Sequence, residues 1–279
     1  MSAAALPAPV LAEARATTRR VARTFSIACR LLPPGLRDDV YLLYLVFRTL
    51  DDLVDDGRPE AAAHVEAVEA WAARRPGPRT REVEVLEELA ARHPIPRDAF
   101  TDFCAGMRHD IERTTLATEA EVDLYCYRVA GTVGLMMAAI LGMRDPAVAE
   151  PAAAALGMAM QRTNILRDLD EDVALGRCYV AEETLARFGG ELRPGGREAL
   201  VRDQIARADA LYDEGVAGIG ALCRGRFAIA AAAAMYREIL RQIEREGYGA
   251  RPGRAVVPPR RKLAIAARRS AAASRLQRP

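Results

Sequence analysis

The sequence predicts an all-α protein, a single-domain bundle of about ten helices over residues 1–279. Strong helix formers, above all alanine, leucine, arginine and glutamate, dominate the composition, and strand-like alternation of valine, isoleucine and threonine is missing. The breaks between candidate helices are short clusters of proline and glycine, as in helical bundles. No change of composition, internal repeat or long linker marks a domain boundary.

Each break separates two candidate helices in chain order. The breaks lie at residues 33–35, 57–59, 75–78, 93–94, 142–146, 189–190, 194–196, 247–252 and 258–259. Two helix starts carry their own signals: Thr118 and Glu121 form a capping box, and Asp145 precedes Pro146 at the first helical position. An alanine-rich run at residues 228–234 predicts a closely packed core helix. The terminal segments 1–14 and 264–279 are expected to be peripheral or flexible.

Composition and charge exclude several classes of function. A net charge of +2, with acidic and basic residues nearly balanced, argues against a nucleic-acid partner. The five cysteines are scattered and form no CxxC pair, which fits a reducing, cytoplasmic setting. The three histidines lie too far apart for a local zinc motif, and the amino terminus lacks a signal-peptide pattern. The longest apolar run, residues 129–143, is short for a membrane span and predicts a buried helix.

An acidic cluster follows the apolar run at residues 40–47. Asp51, Asp52, Asp55 and Asp56 form two i,i+4 carboxylate pairs, and like charges at this spacing repel each other on a helix. At 100° per residue, four polar side chains share one stripe within roughly 60° of each other. The members of this stripe are Tyr44, Arg48, Asp51 and Asp55.

A second stripe lies more than a hundred residues later, on another predicted helix. Gln161, Asn164, Asp168 and Asp172 fall within roughly 80° of one another, and Asp170 points to the opposite side. Asn164 is the only asparagine in the chain.

Two facing carboxylate pairs stay ionised in a bundle only if positive charge lies between them. Oxygen ligands of this kind suit Mg²⁺ or Mn²⁺, and Mg²⁺ keeps few protein carboxylates while water and substrate phosphates complete its shell. The two stripes therefore indicate a metal site that holds a diphosphate. The competing interpretation is a pair of unrelated, solvated acidic surfaces.

Three motifs, in order along the chain, carry a resemblance to a known family. Residues 48–55 read RTLDDLVD, residues 125–134 read YCYRVAGTVG, and residues 163–172 read TNILRDLDED, with GRCY at 176–179. Together they resemble the motifs of the squalene/phytoene synthase family, and their wording is closest to that of phytoene synthases.

The resemblance implies an isoprenoid-synthase helical bundle with a central substrate cavity. It implies a Mg²⁺-dependent prenyltransferase that joins two prenyl diphosphates head-to-head through a cyclopropyl intermediate. Geranylgeranyl diphosphate is the expected substrate, with farnesyl diphosphate as the other candidate. Mn²⁺ is an alternative metal, and no nicotinamide cofactor is expected because no GxGxxG segment follows a strand.

The resemblance also implies a role for each motif residue. The expected catalytic residues are Asp51, Asp52, Asp55, Asp168, Asp172 and Tyr127. The expected metal ligands are Asp51, Asp52, Asp55, Asn164, Asp168 and Asp172. The expected substrate-binding residues are Tyr44, Arg48, Gln161, Asn164, Arg167, Arg177, Tyr236 and Arg254, in which the arginines meet phosphate oxygens or support the carboxylates. Tyr44, Tyr127, Gln161 and Tyr236 are expected to line the cavity.

Three positions depart from the family pattern. Ala22 replaces a residue with a hydroxyl group, Arg162 stands where leucine is usual, and Asp170 stands where glycine is usual. Because these departures bear on the second diphosphate, a class I terpene cyclase acting on one geranylgeranyl or farnesyl diphosphate is the alternative function. A non-catalytic helical scaffold is the least favoured, since both acidic stripes are complete.

The expected cellular setting is cytoplasmic, with the protein at the periphery of a membrane as a further expectation. A basic carboxyl-terminal tail would support that contact only weakly, because it has no clear apolar face. Its basic residues are Arg268, Arg269, Arg275 and Arg278. No oligomeric state is predicted.

Overall fold

A computed structural model of the chain describes residues 8–112, 115–258, 260–261 and 264–265. Within these ranges the protein consists of twelve α-helices and no strand, which confirms the predicted all-α bundle. The helices are α1 Ala8–Val21, α2 Arg23–Cys29, α3 Pro34–Asp55, α4 Ala61–Ala72, α5 Arg81–Arg92, α6 Arg97–Glu112, α7 Glu119–Cys126, α8 Thr132–Leu141, α9 Pro146–Ala174, α10 Glu182–Arg187, α11 Glu198–Ala217 and α12 Arg226–Arg245. A π-helical segment, Tyr127–Gly131, joins α7 to α8, and a 3₁₀ turn, Gly218–Ala221, follows α11.

Helix α3 carries the first acidic stripe in its last two turns, directly after the apolar run at residues 40–47. Pro34 lies in the first turn, where a missing backbone N–H costs nothing, and Leu43 and Leu50 are fully buried. The helix ends at Asp55, and Gly57 follows with a left-handed φ of 62° that reverses the chain. The acidic residues therefore lie at one end of a buried helix.

Helix α9 is the axis of the carboxyl-terminal half and contacts α7, α8, α11 and α12. Asp145 and Pro146 mark its start, as the sequence predicts, and its 29 residues span about 43 Å. Glycines let α9 pack closely against the π-helical segment and α8. A Cβ atom at Gly134 or at Gly157 would lie only 2.1 Å from a backbone oxygen across this contact.

Two large clusters of buried apolar residues form the core. The first is built mainly by α3, α4, α5, α6 and α8, and the second by α9, α11, α12 and the segment after α12. The segment Glu119–Leu141 is long and apolar enough to cross a membrane by composition. In the fold it packs against α6 and α9, as a core helix does.

The terminal segments are described only in part. Residues 8–14, expected to be peripheral or flexible, form the first half of α1, and Ala14 is fully buried against the first core cluster. Of the predicted peripheral segment 264–279 only residues 264–265 are described. The tail arginines of the membrane-contact prediction, Arg268, Arg269, Arg275 and Arg278, lie outside the described residues.

Candidate active site

A cavity of about 440 Å³ runs between the two core clusters. Its apolar walls come from α3, α6, α8, α9 and α12. The predicted site residues that line it are Tyr44, Arg48, Asp51, Gln161, Asn164, Arg167, Tyr236 and Arg254. Along α9 the lining runs from Ala149 to Arg167, a rise of about 27 Å. The cavity is therefore long, apolar along α9 and polar where the acidic stripes end.

The carboxylates of α3 divide between two environments. Asp51 lines the cavity and accepts a hydrogen bond of 2.9 Å from Arg48. Asp55 lies at the rim, where Arg177 donates to its Oδ1 at 2.7 Å. Asp52 also pairs with Arg48, but it lines a separate small surface pocket with Asp56. The structure thus separates Asp52 from the other predicted ligands, because successive residues of a helix lie 100° apart.

The second stripe lies on α9 as the sequence predicts. Arg167 holds the neighbouring Asp168 through two hydrogen bonds of 2.8 and 2.5 Å. Arg254 approaches the same carboxylate, with 3.1 Å between its Nε and Asp168 Oδ1. Asn164 donates to Gln161 at 3.2 Å. Arginines thus accompany the carboxylates on both helices.

Besides desolvation, repulsion between carboxylates raises pKa values within each stripe and, between Asp55 and Asp172, across the two helices. Desolvation and then the charge of Asp55 raise the pKa of Asp51 to about 7. Desolvation and then Asp168 raise the pKa of Asp172 to about 6, and Asp55 adds to that shift from the other helix. The Asp51 side chain retains 46% of its accessible surface, but this surface opens into a cavity that protein encloses. Carboxylates of α3 and α9 therefore repel each other, and a cation bound between them would relieve this repulsion.

The donor set fits a divalent cation that prefers oxygen. Asn164 Oδ1 is buried and has no hydrogen-bond partner, although it belongs to the same stripe as Asp168 and Asp172. Among the described residues no three acidic, histidine or cysteine side chains converge on one point. A cation here would take few ligands from the protein, and the rest from water and substrate, as Mg²⁺ does.

A half-buried carboxylate that sequence reasoning missed lies beside this site. Asp110 of α6 lines the cavity and accepts hydrogen bonds from Tyr125 at 3.1 Å and Tyr179 at 3.0 Å. Desolvation raises its pKa to about 6, although the two hydroxyl groups act to lower it. The rings of the two tyrosines stack with centroids 5.1 Å apart.

The same cluster corrects the prediction for Tyr127. The cavity is lined by Tyr125, whereas the Tyr127 hydroxyl group donates to Asp102 at 3.3 Å and lies off the lining. Residues two apart on a helix point in nearly opposite directions, so only one tyrosine of this motif can face the cavity.

Comparison with known proteins agrees with the geometry. The family model for squalene/phytoene synthase matches residues 18–261. The chain belongs to the squalene/phytoene synthase family. A 15-cis-phytoene synthase from Synechocystis sp. is 37% identical over 89% of this chain and 81% of its own length. A phytoene synthase from Thermus thermophilus is 39% identical over 81% of this chain and 80% of its own length.

Solved structures share the fold. A dehydrosqualene synthase superposes with a TM-score of 0.86 at 28% identity, covering 95% of this chain and 97% of its own. A squalene synthase from Alicyclobacillus acidocaldarius gives a TM-score of 0.74 at 26% identity, covering 88% and 97%. The isoprenoid-synthase fold and the predicted family are thereby confirmed. The protein is thus an enzyme of the prenyl transferase type, in a family whose members act on prenyl diphosphates.

Two of the three departures from the family pattern point away from the cavity. The Arg162 side chain is 3% exposed. It donates hydrogen bonds to Asp123 and Glu119 of α7 and to Gln204 of α11, and these bonds join α9 to both helices. Asp170 is paired with Arg197, on the side of α9 opposite the carboxylate stripe. Only Ala22 lies in the lining, so the missing hydroxyl group is the one departure within the site.

Proposed function

We propose that this enzyme joins two prenyl diphosphates head-to-head in a Mg²⁺-dependent reaction, with geranylgeranyl diphosphate as substrate. The two facing carboxylate stripes at the polar end of a long apolar cavity carry the proposal. Phytoene synthase relatives at 37 and 39% identity support the substrate. The unpartnered Asn164 Oδ1 supports the metal, since a buried amide oxygen without a donor is a ready ligand for a cation.

The residues that would hold Mg²⁺ are Asp51, Asp55, Asn164, Asp168 and Asp172. Bound there, the metal would supply Lewis-acid charge to the leaving diphosphate. The arginines of the site contribute positive charge of their own. Arg48, Arg167, Arg177 and Arg254 each pair with a site carboxylate, and each can exchange it for a phosphate oxygen when substrate enters.

The cavity walls then protect a carbocation. Loss of diphosphate from the first substrate gives an allylic cation, which adds to the double bond of the second substrate. Loss of one proton closes the cyclopropane ring and leaves one diphosphate on the product of this step. A second ionisation, rearrangement and proton loss give the hydrocarbon. Apolar walls exclude water from these cations, and the rings of Phe25, Tyr44 and Tyr236 offer them π faces.

Product analysis tests this proposal. The purified enzyme is incubated with geranylgeranyl or farnesyl diphosphate, with Mg²⁺ or with a chelator, and the products are identified by mass. We expect a forty-carbon hydrocarbon from geranylgeranyl diphosphate, a lower rate with farnesyl diphosphate, and no product with the chelator. A cyclic twenty-carbon product would favour the terpene cyclase alternative, which the loss of the hydroxyl group at Ala22 motivates. Release of no diphosphate would contradict both.

We also propose a cytoplasmic enzyme that contacts a membrane at its periphery. The reason is chemical: the substrate is amphipathic and the hydrocarbon product is apolar, so both partition into lipid. Co-sedimentation of the enzyme with vesicles, measured with and without substrate, tests the contact.

A further inference from the structure

The segment after α12 brings Arg254 to the carboxylate site. We call residues 247–258 the strap. It contains no helix or strand and runs past the carboxyl-terminal end of α9. Arg254 lines the cavity, and its guanidinium group lies 3.1 Å from Asp168 and 3.6 Å from Glu171. The strap thereby supplies one of the four arginines of the site.

The middle of the strap is tied to α9 by Asp170. The backbone N–H of Gly253 donates to Asp170 Oδ2 at 2.6 Å, one residue before Arg254. A charge-assisted hydrogen bond at this point restricts the backbone from which the Arg254 side chain extends. Asp170 is also the position at which the family pattern usually has glycine, which has no side chain to make this bond.

Asp170 is in turn held by Arg197, whose side chain is 4% exposed. Arg197 donates to Asp170 Oδ2 at 3.0 Å, to the carbonyl of Leu192 at 2.8 Å and to the carbonyl of Gly249 at 3.1 Å. A Cβ atom at Gly249 would lie 2.6 Å from Arg197 Nε, so glycine lets the guanidinium group reach the strap. One buried arginine thus connects α9 with the beginning of the strap.

Other contacts hold the two ends of the strap independently of Asp170. The Arg202 guanidinium group stacks 3.5 Å from the ring centroid of Tyr248. Ala255 and Val257 are buried in the second core cluster. A change at Asp170 therefore removes the hydrogen bond to the middle of the strap, while the contacts of Tyr248, Ala255 and Val257 remain.

We propose that Asp170 and Arg197 are positioning residues that hold Arg254 at the diphosphate group of the substrate. The proposal rests on the proposed function, because Arg254 acts on a diphosphate only if this site binds one. Without substrate, Arg254 pairs with Asp168. With the metal and diphosphate bound, Arg254 is free to donate to a phosphate oxygen, and the strap keeps its backbone in the same place.

The experiment compares the full-length wild-type enzyme with Asp170→Ala, Arg254→Ala and the double variant. Alanine is a better helix former than aspartate, so α9 is not weakened intrinsically. The control is Asp213→Ala, which removes an exposed carboxylate that pairs with Arg237. The rate of trypsin cleavage after Arg254, without substrate or metal, is measured in the wild type, Asp170→Ala and the control, all of which keep this arginine. The affinity for inorganic diphosphate with Mg²⁺ is measured by calorimetry in every variant.

We expect Asp170→Ala to speed cleavage after Arg254 by about tenfold, since the charge-assisted hydrogen bond from Gly253 of the strap is lost. Asp170→Ala and Arg254→Ala should each weaken diphosphate binding by about five- to tenfold, and the double variant should be no weaker than Arg254→Ala. The control should match the wild type in both measurements.

Two results would overturn the positioning role while leaving the proposed function intact. One is wild-type cleavage and wild-type diphosphate affinity in Asp170→Ala. The other is a loss of affinity in the double variant that equals the product of the single losses, because the two residues would then act separately. Absence of diphosphate binding by the wild type would instead contradict the proposed function, and the role of Arg254 with it.

Discussion

Asp51 and Asp52 are neighbours in the sequence but lie in different environments. Asp51 lines the cavity, where desolvation and then the charge of Asp55 raise its pKa to about 7. Asp52 lines a surface pocket on another side of α3. Both pair with Arg48, which lines the cavity and this pocket. We therefore propose that Asp51 binds the metal and that Asp52 orients Arg48.

This difference predicts unequal effects of two matched substitutions. Asp51→Asn should lower kcat/KM by about 10²–10³-fold or more, because a charge that holds the leaving group's counter-ion is lost. Asp52→Asn should cost about tenfold or less. Far-UV circular dichroism should be unchanged in both, and the Mg²⁺-induced rise in Tm should shrink more in Asp51→Asn. Equal losses, or a larger loss in Asp52→Asn, would contradict the assignment.

At this scale the sequence predicts some site residues and misses others for clear reasons. The carboxylates at i,i+4 spacing, with Asn164 on the same stripe, follow from helical periodicity alone. Asp110 does not, because its partners Tyr125 and Tyr179 come from distant parts of the chain. The sequence does not show that Tyr125, and not Tyr127, lines the cavity, because the direction of each ring depends on how this segment packs, and a π-helical turn begins there.

At the scale of helices, Arg162 forms a buried polar network at a position where the family pattern usually has the apolar residue leucine. It joins α9 to Glu119 and Asp123 of α7 and to Gln204 of α11, while Thr184 of α10 also donates to Glu119. Desolvation acts to raise the pKa of Glu119, but hydrogen bonds from Thr184 and Arg162 outweigh it, and the pKa is lowered. Glu119 is therefore charged in the fold and depends on these partners.

Arg162→Leu, which restores the usual family residue, should consequently destabilise the protein. It leaves Glu119 buried without its hydrogen-bonded cationic partner, at a cost of about 3 kcal/mol. This is the lower end for such changes because Thr184, Gln204 and, at 3.8 Å, Arg207 remain beside Glu119. Thermal unfolding should show a Tm lower by about 6–12 °C. Kinetic constants of the folded variant should change little, since Arg162 does not line the cavity.

A second variant provides the control for this stability effect. Combining Arg162→Leu with Glu119→Gln removes the buried charge as well, and most of the lost stability should return. If Arg162→Leu alone unfolds at the wild-type temperature, the network makes no net contribution to the stability of the fold. The sequence marks Arg162 as a departure from the family pattern but cannot show its partners, which lie about 40 residues away on either side.

In the molecule as a whole, the cavity extends along α9 from the carboxylate site into the apolar interior. Its apolar lining includes Ala149 and Ala153, and Asn164 marks the polar end. Ala153 is 11 residues before Asn164, a distance of about 17 Å along the helix. A prenyl chain whose diphosphate group lies at Asn164 would extend toward Ala153. The sequence predicts the apolar walls, whereas the length of the cavity depends on how α8, α9 and α12 pack.

Enlarging the side chain at Ala153 should therefore shorten the substrate that fits. Ala153→Leu adds methylene and methyl groups to the lining, and each such group in an apolar pocket changes discrimination by about 10–200-fold. We expect the ratio of kcat/KM for geranylgeranyl diphosphate to kcat/KM for farnesyl diphosphate to fall by about 10–200-fold. The matched control is Ala147→Leu, on the same helix but exposed, which should leave the ratio unchanged. An unchanged ratio in Ala153→Leu, with product still formed, would mean that the chain does not run along α9.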